Sequence, residues 1–239
     1  MDMLRGKGRA FVNVLLAALM AALYFTTATP IAQSVMGALY NSPVYRGHKK
    51  GVIAVECAVS WNASALPDLL ATLKEKGIHI TFVVSGAWAQ QNPELLVQMV
   101  HDGHEIGTMG QNPMQDGSTD IVAADIKESL QIINTVAGIR PKLYYSGVRR
   151  VSNSTRAANK LGLTHVLCTV DLLSGRGDSA DILSRALDKP FDGSILLIQP
   201  TAEAAKALPA CIEGLQQQGF RIGTIGETLG EQSQKEVRI

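Results

Sequence analysis

Side chains able to move protons or bind metals are few and scattered along this chain of 239 residues. Of its five histidines, only His101 and His104 stand at i and i+3, and Gly103 between them ends the helix that would align them. The spacing predicts one exposed and one packed histidine, not a ligand pair. His48, His79 and His165 are isolated at linker or strand-entry positions. Cys57, Cys168 and Cys211 make no C-x-x-C, and their apolar neighbours mark them as core positions. Zinc needs three or four convergent donors, and no such set is spaced for it. For acid–base chemistry the sequence offers the carboxylates of Glu56, Asp116 and Asp171. Glu56 interrupts an otherwise apolar strand and is expected to be partly buried and hydrogen-bonded.

The bulk properties narrow the function classes. A 46% hydrophobic chain of this length can bury one sizeable core. Its net charge of +1 leaves no basic footprint for nucleic acid. The pairs Lys49-Lys50 and Arg149-Arg150 read as solvated faces.

At the N-terminus, Arg5, Lys7 and Arg9 precede an apolar run over residues 11–25 and a milder one over 26–40. Cations before a span of this length predict a signal anchor over residues 1–40, with the cationic end in the cytoplasm and the domain outside the cell membrane. No small-x-small cleavage site follows Phe25. The competing readings are a cleaved signal ending near Gln33 and a buried helix, which leaves the flanking cations without a role. Residues 41–50, with Pro43 and Gly47, read as a linker, and residues 231–239 as a polar tail.

The elements that must position any site follow from Gly51 onward. Apolar strands are expected at 52–57, 78–85, 142–145, 165–170, 194–199 and 220–224. Helical patterns lie between them at 66–76, 95–101, 120–136, 153–161, 179–187 and 201–218. Asn92-Pro93-Glu94 reads as a capped helix start. In the long helix, Ile121, Ala124, Ile126, Leu130, Ile133 and Val136 are the expected inner face. Strands apolar throughout, alternating with helices, predict an α/β fold: an incomplete or distorted parallel (β/α) barrel of about seven units. Such a barrel carries its site at the strand C-terminal ends.

Several stretches follow one another in a recognisable order. They are Ser60-Trp61-Asn62, Thr81-Phe82-Val83-Val84-Ser85-Gly86-Ala87-Trp88-Ala89, Asn92-Pro93-Glu94-Leu95, and Gly103-His104-Glu105-Ile106-Gly107. Pro141-Lys142-Leu143-Tyr144 and Gly193-Ser194-Ile195-Leu196-Leu197 complete the set. Over nearly all of residues 51–230 the chain resembles the NodB-type polysaccharide deacetylases, most specifically their branch in spore-forming bacteria. That family uses zinc or another divalent metal, held by an H-[ST]-x-x-H pair. The resemblance places Met109 and Pro113 at the two ligand positions, and neither is a fitting donor. It places Ala58 at the water-activating base and Val59 at a second acid that helps hold the metal. Tyr145 falls at the arginine that orients the base, Ser174 and Gly175 at an acid and an aromatic wall, and Gln199 at the general acid. None of these can transfer the required proton or form the required ion pair.

The expectation is thus a membrane-anchored polysaccharide deacetylase-like protein that needs no cofactor and has lost its chemistry. It would bind peptidoglycan or another N-acetylated glycan, or act as a sporulation-associated scaffold with an envelope protein as partner. Trp61, Met109, Gln111, Asn112, Tyr144, Tyr145 and Gln199 are the expected groove. Two other classes stay open: a deacetylase with relocated residues around Glu56, Asp116 and Asp171, and a protein-interaction module using the outer helices.

Overall fold

The structure, a computed structural model, describes residues 15–20, 42–61 and 64–230. Strand β1 (Val52–Val59) organises the domain, and all eight of its residues are buried, as a strand covered on both faces requires. Successive side chains point to opposite faces. Ile53, Val55, Cys57 and Val59 enter the main core under the outer helices, whereas Ala54 and Ala58 pack in separate clusters of the barrel interior. On one edge β1 pairs with β2 (Thr81–Val84), followed in order by β3 (Glu105–Thr108), β4 (Leu143–Tyr145) and β5 (Thr164–Val166). Its other edge is shared. β8 (Arg221–Gly223) takes Val52 to Ala54, and β7 (Ile195–Ile198) takes Ala54 to Cys57, with β6 (Val170–Asp171) beyond it. All these pairings are parallel, and the path ends at β5 and β6, so the strands form the expected incomplete barrel.

The linker expected at 41–50 needs correction. Val44 bridges Val166, its N–H donating to the His165 carbonyl, while Gly47 N–H donates to the Gly193 carbonyl. From Val44 onward this stretch is part of the barrel. Pairing through backbone groups leaves no hydrophobic pattern, so Pro43 and Gly47 looked like a linker.

The helices are α1 (Leu66–Glu75), α2 (Gly86–Gln91), α3 (Pro93–His101), α4 (Thr119–Ala137), α5 (Val151–Lys160), α6 (Ser179–Leu187), α7 (Ala202–Gln217) and α8 (Ile225–Thr228). The short α2 and α8 are additions to the expected set, since helices of one or two turns show too little periodicity to register. Asn92 does not cap α3 with its side chain, which donates to the Trp88 carbonyl. α4 starts where the Ser118 hydroxyl accepts from Ile121 N–H, and it stops at Gly138, whose φ of 69° is left-handed. Its buried face is Val122, Ile126, Ser129 and Ile133, rotated from the expected one, and Ile121 is exposed. A buried serine on that face is accommodated because its hydroxyl pairs with Thr108 Oγ1 at 2.8 Å.

Of the segment expected as an anchor, residues 15–20 are helical, while the rest of 1–40 and the tail at 231–239 lie outside the described residues. Among the described residues no helix is long and apolar enough to cross a membrane.

Candidate functional site

A groove of about 600 Å³ opens at the C-terminal ends of the strands. Ala58 of β1, Met109 after β3, Tyr145 of β4 and Leu197 of β7 pack together as its floor. Trp61, Pro113, Met114, Val148 and Gln199 stand around it. Trp61 is 70% exposed, so its ring is presented to solvent at the rim. The fold therefore gathers Ala58, Met109, Pro113, Tyr145 and Gln199, which are spread over 141 positions of sequence, around one cavity.

Other expected groove residues lie elsewhere. Tyr144 follows the strand alternation to the opposite face from Tyr145, is fully buried, and packs with Val122 and Ile126 of α4. Gln111 and Asn112 do not line the groove: their backbone N–H groups both donate to the Asp125 carboxylate, and Gln111 Oε1 is buried against Gly86. Val59 faces the outer core. Ser174 sits behind the wall, where its hydroxyl accepts from Gln199 N–H at 2.6 Å. Gly175 lines the groove next to Gln199, whose Oε1 would lie 2.5 Å from a Cβ at this position.

The donor set at this site does not fit a divalent metal. The floor offers a methyl at Ala58 and a buried thioether at Met109, and Pro113 has no donor atom. Among the described residues, no three histidine, cysteine or acidic side chains gather to hold an ion. Burial, and then the Glu56 charge, pushes the Tyr145 hydroxyl above its ordinary range, so it stays a neutral phenol. Gln199 supplies an amide, which does not titrate. Asp171 is the carboxylate lining the groove, and its Oδ1 accepts from Leu173 N–H at 2.8 Å. Arg176 adds a guanidinium.

The relocated-base candidates separate in space. Glu56 points into the barrel interior below Ala58, with no exposed surface. The expected hydrogen bonds are absent: neither carboxyl oxygen has a partner among the described residues. Burial, and then the charge of Glu105, raises its pKa to about 8. A carboxyl sealed under the floor cannot touch a ligand above it. Asp116 is exposed, with Arg150 Nε 4.0 Å away, and does not line the groove.

The histidines divide as their spacing predicts. His101 is exposed, and buried His104 uses Nδ1 to accept from Ile80 N–H, in keeping with a pKa lowered to about 4 by burial. Sequence reading missed Arg149. The Arg149-Arg150 pair does not form a solvated face: the Arg149 side chain is fully buried and ion-paired with Asp125 of α4. Its signal in sequence is faint, because the acid lies 24 positions away.

The sequence profile of the polysaccharide deacetylases matches residues 49–166. The uncharacterized protein YlxY of Bacillus subtilis is 29% identical over 199 residues, covering 81% of this chain and 62% of YlxY. The peptidoglycan-N-acetylglucosamine deacetylase PgdA of Listeria monocytogenes is 27% identical over 177 residues, covering 72% of this chain. This chain spans only 38% of PgdA's length. The crystal structure of BA3943 from Bacillus anthracis, described as a CE4 family pseudoenzyme, superposes with a TM-score of 0.74 at 26% identity. That match covers 79% of this chain and 69% of BA3943. A BA3943 mutant with restored enzymatic activity superposes equally well. Fold, strand order and sequence agree: residues 49–166 carry a polysaccharide deacetylase domain.

Proposed function

We propose that this protein binds an N-acetylated glycan of the cell envelope, peptidoglycan or a chitin-like chain, without deacetylating it. The observation that carries this reading is the groove itself. It keeps an exposed indole at Trp61 and amide and phenol groups at Gln199 and Tyr145, while the base and metal-ligand positions hold Ala58, Met109 and Pro113. An aromatic face and neutral hydrogen-bonding groups suit a sugar ring, and ligand recognition is separable from proton transfer. The peptidoglycan deacetylases among the relatives support the glycan, and the BA3943 pseudoenzyme supports loss of chemistry on this fold. The cationic and apolar N-terminus favours a membrane anchor with the groove outside the cell.

Calorimetry of the full-length chain with N-acetylglucosamine tetramer tests the reading, alongside a measurement of released acetate. Binding without acetate is expected. Trp61→Ala should weaken binding by about 2 kcal/mol, or roughly 30-fold. Acetate release by the wild type would establish the relocated enzyme instead, and absence of binding would leave the interaction module.

A further inference from the structure

The segment from Met109 to Gln115 rises from the floor of the groove at Met109 to form one wall through Pro113 and Met114. In a metal-dependent relative of this fold, side chains at positions 109 and 113 would tie such a wall to an ion. Neither residue fits that task here, so something else must fix the wall.

Arg149 lies behind it, on the helix side of β4, at the start of α5. Its Nε donates to the Gln115 carbonyl at 2.9 Å, and Nη1 donates to the Met109 carbonyl and the Tyr144 hydroxyl, each at 3.2 Å. Nη2 donates to the Asn112 carbonyl and to Asp125 Oδ2. A guanidinium has five N–H donors in a rigid fork, and here each one has an acceptor. Three of those acceptors are backbone carbonyls of the wall. Asp125 completes the arrangement from the other side by accepting from Gln111 and Asn112 N–H. The wall is therefore held through its backbone, independently of the side chains it presents to the groove. Gly110 shows how tightly the parts meet: with φ at +83°, a Cβ there would lie 2.1 Å from Asp125 Oδ2 and 2.6 Å from Arg149 Nη1. The neighbouring contacts reinforce the fastening, since Asn153 Nδ2 of α5 donates to the Gly117 carbonyl at 2.8 Å.

We propose that Arg149 is the positioning residue of this groove, a fixed internal cation that presets the 109–115 wall in place of side-chain metal ligation. The geometry asks for a fork and not merely for charge. Lysine has three donors on one nitrogen and cannot reach five acceptors spread around a plane. The consequence for ligand affinity rests on the glycan-binding reading above. The fixing of the wall does not.

Hydrogen exchange on the full-length chain reads the wall directly. In Arg149→Met and Arg149→Lys, amides of residues 109–117 should exchange at least tenfold faster, while those of β1 and β2 keep wild-type protection. Asp125→Asn should have the same local effect by removing the guanidinium's ionic partner at a position with ordinary helical backbone, so it keeps the test decisive if an Arg149 variant fails to fold. Tetramer affinity should fall at least tenfold in each folded variant. Unchanged exchange at 109–117 would overturn the proposal, as would full affinity in a variant whose wall had loosened. If wild type binds no tetramer, the glycan reading fails alone, and the exchange result still decides the role of Arg149.

Discussion

Replacing Glu56 by glutamine should make the protein more stable, by an amount that grows with pH. The Glu56 carboxyl is fully buried, has no hydrogen-bond partner among the described residues, and titrates near 8 instead of 4.5. Above pH 4.5 the unfolded chain releases this proton while the folded chain keeps it. Unfolding is thus coupled to proton release and becomes easier as pH rises. The penalty is absent below about pH 4.5, deepens by about 1.4 kcal/mol per pH unit, and levels off above about pH 8. Over the whole window, 8 − 4.5 = 3.5 pH units correspond to a penalty on the order of 5 kcal/mol. Glu56→Gln keeps the shape and removes the charge, so the variant-minus-wild-type difference isolates this group from every other titration. Urea unfolding of both proteins at pH 5, 6, 7 and 8 should show the difference widening by about 4 kcal/mol across the series. A difference that stays flat with pH would refute the reasoning, because it would mean that solvent or a partner reaches the carboxyl in the folded state.

The wild type itself should be most stable near pH 6.5. Burial lowers His104 and His165 to about 4, so below pH 6.5 the stability lost by these two groups outweighs the single opposing Glu56 effect, and above 6.5 only the Glu56 penalty still grows. A thermal-melt series from pH 4 to 9 that rises steadily throughout would contradict this. The wild-type chain should take up no stoichiometric zinc by calorimetry. The Ala58→Asp, Met109→His, Pro113→His variant should bind it, because those positions line one groove. Adding Tyr145→Arg and Gln199→His should give slow acetate release from N-acetylglucosamine oligomers, each group being of a kind usually worth about 3–5 kcal/mol in barrier. A folded triple variant without zinc uptake would show that the wall stands too far from β1.

Much of this protein was written in the order of its residues. Continuous apolar strands alternating with helices specify a parallel barrel, because such strands are stable only when covered on both faces. The barrel then fixes where its site must lie. Residue type alone showed that Met109 and Pro113 are no ligands for zinc and that Ala58 cannot take a proton, since those are covalent properties of side chains. What tertiary structure decided was direction and partnership. Tyr144 and Tyr145 are adjacent in sequence, yet alternation along β4 sends one to the helix side and the other to the groove. Glu56 was legible as an anomaly in a strand, but only its placement between β2 and β7 left its carboxyl buried with no partner among the described residues. Arg149 is the sharpest case. A charged pair before a helix looks solvated until the fold brings Asp125 and three carbonyls of a distant loop around the guanidinium. Local sequence encodes propensity and pattern, whereas hydrogen-bond saturation is a property of neighbours that only the folded chain assembles.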